Sequence, residues 1–338
     1  MAEINIYLIL IGAIGLDLLI GDPSFLLHPV QVIGFSIKKF TNFLIENYPK
    51  KEFILFWSGL LITCSTIFLS YSIGKYLELI YLKSKDNIVL GNIILIGLGS
   101  CLATKSLISR TKEISSLINE KFVNHNLKRK ITKKVQSIVS RDVSRSSLED
   151  LLRATTESLT ENSVDGIFGP LFWIFVGAIS MKSSIYFPGP LSLGLSYKAI
   201  STLDSMIGYK HNSLKYLGFF SAKFEDFATF IPSRLVVLTL PLISKKRGNY
   251  FSLIKRVFYE GKKYDSPNSG ISECIFAYLV DIQLGGANNY IDGIVIKPTL
   301  NSKGNLCSAK SIKQICQLIY RLLLFWIFIF TLIYFFKF

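Results

Sequence analysis

The chain has 338 residues, half of them hydrophobic, with 26 Phe, 16 Tyr and a mean hydropathy of +0.42. That is too apolar for an ordinary soluble protein, and several runs approach the ~20 residues that cross a bilayer. The formal net charge of +15 sits between those runs, where anionic lipid headgroups account for it without nucleic acid as a partner. In chain order, membrane helices are predicted near 4–20, 53–80, 88–104, 166–187, 227–243 and 318–336. The expected fold class is therefore all-α, a polytopic integral membrane protein with about five to six membrane helices, some of them re-entrant. It reads as a single membrane-embedded domain over 1–338. Lys and Arg outnumber the acids in 105–163 and 244–317, which predicts helical loops there on the cytoplasmic side. Strict alternation of six spans would place 188–226 on the opposite face, unless a short span is re-entrant. The first twenty residues lack a basic lead and a small-residue cleavage site, so they read as a retained span. Five scattered cysteines without a CxxC argue against a zinc site or a disulfide framework.

After the first span, GDPSFLLHPVQVIG (21–34) turns the chain at a membrane exit. Asp22 and His28 there could hold substrate or relay a proton, against the plainer reading of a loop anchor. Residues 35–52 look like an interfacial amphipathic helix, and 105–140 like a basic surface helix around LKRKITKKV.

The most informative stretch is RDVSRSSLEDLLRATTESLTENSVDGIFGPLFW (141–173). Ser146 followed by Glu149 fits a capping box. Leu148, Leu151, Leu152, Thr155 and Leu159 form an apolar side, while Arg153, Glu157, Glu161 and Asp165 recur four apart as a polar stripe. Arg153 with Glu157 is a favourable pair, but Glu157 with Glu161 costs a few tenths of a kcal/mol. Three converging carboxylates suggest a cation or charged ligand, and an ordinary wet helix face is the alternative.

Further on, YKAISTLDSMIGYKHN (197–212) carries Asp204 among small and apolar residues, where an unpaired acid is costly. In SAKFEDFATFIPSRL (221–235), Lys223, Asp226 and Arg234 could close a charge network across Pro232. Ser266-Pro267-Asn268 is turn chemistry, opening a short helix predicted to run on to Leu284-Gly285-Gly286. Free N–H groups at such a start can hold a phosphate. No GxxxxGK[ST] and no GxGxxG is present, so a standard nucleotide loop is absent.

Taken together, DLLIGDPSFLLHPVQVIG (17–34), RDVS with RATTESLTENSVDGIFGPLFW (141–144, 153–173), YKAISTLDSMIGYK (197–210), FEDFATFIPSRL (224–235) and SPNSGISE with LGG and Tyr290 resemble the adenosylcobinamide-phosphate synthase family, membrane enzymes of cobalamin biosynthesis. The blocks are in the family's order and cover most of the chain. Ser201 and Thr229 stand where the family pattern has Asn, which leaves their roles open. The resemblance implies ATP-dependent amide ligation at the cell membrane, joining the free propionate of adenosylcobyric acid to the amine of aminopropanol phosphate. It implies ATP and Mg²⁺; for that chemistry the stripe's Glu157, Glu161 and Asp165 are the expected metal ligands, and Asp204 or Asp226 the expected base. Arg141, Asp142, Arg153, Asn162, Tyr197, Lys198, Arg234, Ser266, Asn268, Asp22 and His28 would line the substrate site. Other late cobalamin-pathway membrane enzymes are implied as neighbours. A carrier would also use broken spans and intramembrane acids, but it would usually show two related halves, and no internal repeat is visible.

Overall fold

In a computed structural model the described residues are 2–21, 29–48, 51–84, 87–119, 124–208, 214–245, 248–290 and 293–336. Asp22 and His28 lie outside them. Among the described residues, five helical runs are long and apolar enough to cross a membrane: Glu52–Lys83, Ile88–Ile118, Leu148–Ser183, Phe219–Ile243 and Ala309–Phe336. The chain is a multi-pass, helical membrane protein, as its hydropathy predicts. Three differences from the sequence-based spans are informative. The predicted first span is a shorter apolar stretch, Asn5–Leu19, within α1 (Ala2–Leu19). The front of the basic 105–140 segment belongs to the Ile88–Ile118 run. The central helix and the predicted 166–187 span are one helical run.

The chain divides into two compact units, Met1–Lys105 with Asp165–Thr229, and Ser106–Val164 with Phe230–Phe338. In the first, α9 (Pro190–Ile207) packs on α2 (Pro29–Asn47), α3 (Glu52–Lys83), α4 (Ile88–Cys101) and α8 (Gly169–Ser183). Its entry is held by charge. Glu78 of α3 accepts from the backbone N–H groups of Leu191 (2.6 Å) and Ser192 (3.1 Å), where the positive end of the α9 dipole lies. Lys75, one turn earlier, donates to the carbonyls of Ile185 (2.6 Å) and Phe187. Asp17 does similar work, both its oxygens accepting from the Thr104 N–H at 3.1 Å, where α5 (Thr104–Ile118) starts. These acids, set in apolar helices, therefore cap helices.

In the second unit, α6 (His125–Gln136) packs its Ile131 and Val135 against Leu151 and Ala154 of α7 (Leu148–Ser163). The α7 cap is Ser147, one residue after the predicted Ser146: its hydroxyl accepts from the Asp150 N–H at 3.0 Å. Replacing Ser147 by Ala should cost about 1 kcal/mol of thermal stability, read as a lower melting midpoint in detergent. The polar buried face of α7 is self-satisfied, because Thr155, Thr156 and Thr160 donate back to the carbonyls of Leu151, Leu152 and Thr156. α7 passes through a π turn at Val164–Phe168 into α8. The unit is completed by α12 (Tyr250–Gly261), α13 (Ser269–Val280), the hairpin β1 (Leu284–Tyr290) and β2 (Gly293–Leu300), and α14 (Ala309–Phe336). The hairpin corrects the helix predicted to continue through Leu284-Gly285-Gly286: α13 stops at Asp281, whose φ of 62° is left-handed, and the chain turns into an antiparallel pair.

Candidate functional site

The second unit gathers its charged residues where α7 meets β1. Arg141, in the loop before α7, reaches the Asn288 side chain and sets its Nη2 2.8 Å from Glu157 Oε2. Both members of this ion pair are buried. Glu157 Oε1 accepts from the Gly285 N–H at 2.9 Å. Arg153 donates to the carbonyls of Gly285 and of Ala287 (2.7 Å), and its ion pair is with Asp150 at 3.1 Å. The sequence-based pairing of Arg153 with Glu157 is thus replaced: one turn along a helix is close, but β1 offers Arg153 carbonyls and Arg141 takes the carboxylate.

The LGG segment is what lets β1 do this. Gly285 and Gly286 have φ of +85° and +93°, which L side chains rarely adopt. A Cβ on Gly285 would lie 2.2 Å from the Pro298 carbonyl oxygen, and one on Gly286 2.9 Å from Arg153 Nη1. Gly285→Ala should therefore cost at least about 1–2 kcal/mol and displace the N–H held by Glu157, seen as a lower melting midpoint.

Arg141, Asp142, Ser146, Asp150, Arg153, Ala287 and Asn288 line an open cleft of about 360 Å³. Two guanidinium groups on its walls suit a phosphate or carboxylate. Asp142 is exposed, and the Ser144 N–H and hydroxyl hold its carboxyl below the usual range. The same unit holds residues not singled out from sequence. Glu273 of α13 is fully buried, with Lys297 of β2 3.9 Å away. Tyr264 has a buried hydroxyl without a hydrogen-bond partner, beside the spot a Gly285 Cβ would fill (3.1 Å). The signal available for Glu273 was a lone carboxylate in the apolar run ISECIFAYLV.

Other predicted residues fall elsewhere. Arg234 donates to Asn268 Oδ1 (3.1 Å) and stacks on Phe230 at 3.3 Å, while Ser233 donates to the same Asn268 oxygen. Of the predicted network of Lys223, Asp226 and Arg234, the first two form an ion pair at 3.6 Å. Ser266 accepts from the N–H of Asn268, as a turn does. Asn162 bonds back to Ser158. In the first unit, Tyr197 shares a 2.9 Å hydrogen bond with Thr229, which donates to Glu225 at 2.5 Å. Asp165, Glu225 and Asp204 all lie within electrostatic reach of that Tyr197 hydroxyl. Gly169 makes room for the ring, since a Cβ there would meet the hydroxyl at 2.1 Å. Lys198 follows on α9, within electrostatic reach of the buried Cys101. Among the described residues, no three His, Cys, Asp or Glu side chains are placed together to hold a metal ion.

No solved structure matches the chain. The sequence pattern of the family described as CobD/Cbib protein matches residues 10–319. A cobalamin biosynthesis protein CobD of Synechocystis is 37% identical over 297 residues, covering 87% of this chain and 81% of that protein. The proteins of that name from Listeria monocytogenes (32% over 317 residues, 90% and 91% covered) and Clostridium acetobutylicum (31% over 327 residues, 96% and 97%) are similar along nearly their full length. The chain belongs to the CobD/Cbib family of cobalamin biosynthesis proteins.

Proposed function

We propose that this protein is the amide ligase of its pathway, an adenosylcobinamide-phosphate synthase that joins the free propionate of adenosylcobyric acid to aminopropanol phosphate with ATP as co-substrate. The observation that carries the reading is the Arg141–Glu157–Gly285 arrangement with Arg153 beside it, on the wall of a polar cleft in a family of cobalamin biosynthesis proteins. A free carboxylate is a poor acyl donor, and transfer of the terminal phosphoryl group of ATP to one of its oxygens lets that oxygen leave as part of phosphate. Such chemistry concentrates anionic oxygens, which Arg141 and Arg153 are placed to neutralise and orient. Glu157 acts through Arg141, fixing the guanidinium from behind while the Gly285 N–H fixes Glu157.

We assign a magnesium ion to this reaction, which would need one or two protein carboxylates besides phosphate and water oxygens. Both Glu157 oxygens are engaged with Arg141 and Gly285, so Glu161, one turn on and partly exposed, is the ligand we assign, with Glu157 at the edge of the set. The ion would supply charge neutralisation at the transferring phosphate. The cell membrane is the assigned location.

The test is to purify the protein in detergent and incubate it with adenosylcobyric acid, aminopropanol phosphate, ATP and Mg²⁺. Mass spectrometry should find the amide only when ATP is present. Folded protein that binds the corrinoid yet forms no adduct would refute the ligase reading.

A further inference from the structure

This inference rests on the ligase reading and concerns the fate of the amine's proton. An aminoalkyl phosphate arrives as an ammonium, which has no lone pair to attack with. The site therefore needs a proton acceptor beside an ammonium-binding position.

Glu273 offers both. It is fully buried, and neither carboxylate oxygen has a hydrogen-bond partner. A buried carboxyl left so is costly unless something else occupies the position part of the time. The groups that act on it come from each neighbouring part of the unit. Lys297 stands on β2, Glu161 and Glu157 on α7, Arg141 in the loop before α7, and Tyr264 in the loop before α13. Glu260 of α12 is occupied elsewhere, accepting from the Tyr278 hydroxyl (2.6 Å) and the Asn301 N–H (2.9 Å). Burial pushes the Glu273 carboxyl well above the usual carboxylate range; Lys297 and Arg141 oppose this, and Glu161 and Glu157 add to it. A carboxyl so placed holds its proton to higher pH than a surface glutamate does.

Lys297 shows what the position accepts. Its ammonium lies 3.9 Å from Glu273 Oε1 and 5.2 Å from the centre of the Tyr264 ring, so an apolar face and a carboxylate together frame a cation. The Lys297 side chain is partly exposed and long enough to swing aside. We propose that the substrate ammonium replaces the Lys297 ammonium against Glu273 and Tyr264, and that Glu273 is the catalytic proton acceptor of the ligation. One proton passes from the ammonium nitrogen to a Glu273 oxygen, freeing the nitrogen lone pair. That pair forms the C–N bond at the acyl phosphate carbon, the C–O bond to phosphate breaks with its electrons on oxygen, and the second nitrogen proton leaves with the phosphate.

Hydroxylamine separates this step from the rest, because it is uncharged at neutral pH and attacks acyl phosphates without first losing a proton. With Glu273→Gln, ATP-dependent amide formation should fall by about 100-fold or more, while ATP-dependent hydroxamate formation stays within about threefold of the unsubstituted protein. Lys297→Met should shift the acid limb of the kcat/KM pH profile for amide formation upward, because in the free enzyme a cation that eases Glu273 ionisation is gone. A Glu273→Gln protein that makes amide at near-normal rate, or loses amide and hydroxamate together, overturns the assignment, as does an unmoved acid limb in Lys297→Met. If the unsubstituted protein makes neither product, the ligase reading fails and this assignment falls with it.

Discussion

Arg141→Ala is expected to remove most of the stability of the second unit together with its activity. The substitution leaves the Glu157 carboxylate buried without its counter-ion, a change that costs about 3–5 kcal/mol. Total stabilities of folded domains are only about 5–15 kcal/mol, so folded protein should be scarce and its melting midpoint in detergent sharply lower. The Asn288 side chain loses its donor at the same time. Replacing both partners, Arg141→Met with Glu157→Leu, should recover much of the stability while leaving ligation absent, because an apolar pair removes the stranded charge but cannot orient phosphate. An Arg141→Ala protein that melts with the unsubstituted one would show that this pair does not secure β1 to α7.

The second large effect lies in the first unit. A single methyl group at Gly74 would sit 2.6 Å from the Ser192 Cα and 2.7 Å from its backbone nitrogen, at the point where Glu78 caps α9. Backbone cannot rotate away as a side chain can. Gly74→Ala should therefore cost about 3 kcal/mol, near the upper end of overpacking penalties, and loosen α3 from α9. Gly15→Ala is the matched control, since a Cβ there meets nothing within 4 Å. In α1 that change should be neutral or stabilise by up to about 1 kcal/mol through helix propensity. Paired melting curves of the two alanine variants check both expectations, and equal midpoints would contradict the close approach.

These cases mark what the sequence makes legible. The membrane helices follow from long apolar runs, and α7 follows from its 3.6-residue period and a serine cap, misplaced by one residue because Ser146 and Ser147 both fit the pattern. Glu157 stands out because like charges on adjacent turns need a reason. Its actual partners do not, since Arg141 and Gly285 come from other segments and local spacing says nothing of them. The hairpin is hidden because Gly285-Gly286 after an apolar helix resembles an ordinary helix end, and only the positive φ values reveal a strand that presents an N–H to Glu157 and carbonyls to Arg153. Glu273 is masked by its apolar neighbours. Asp17, Lys75 and Glu78 are charges set in apolar helices, and their occupation is helix ends and turn carbonyls. A helix end needs a charge for the same electrostatic reason a substrate does, so residue type alone cannot tell them apart.

The central claim, activation of a carboxylate by phosphoryl transfer from ATP for attack by an amine, is tested most directly by isotope transfer. Adenosylcobyric acid carrying ¹⁸O in both oxygens of its free carboxylate would be turned over by the purified protein with aminopropanol phosphate, ATP and Mg²⁺. The account predicts ADP as the nucleotide product, one ¹⁸O in the released inorganic phosphate and the other retained in the amide. AMP carrying the label, or amide formed with no label in phosphate, would contradict it.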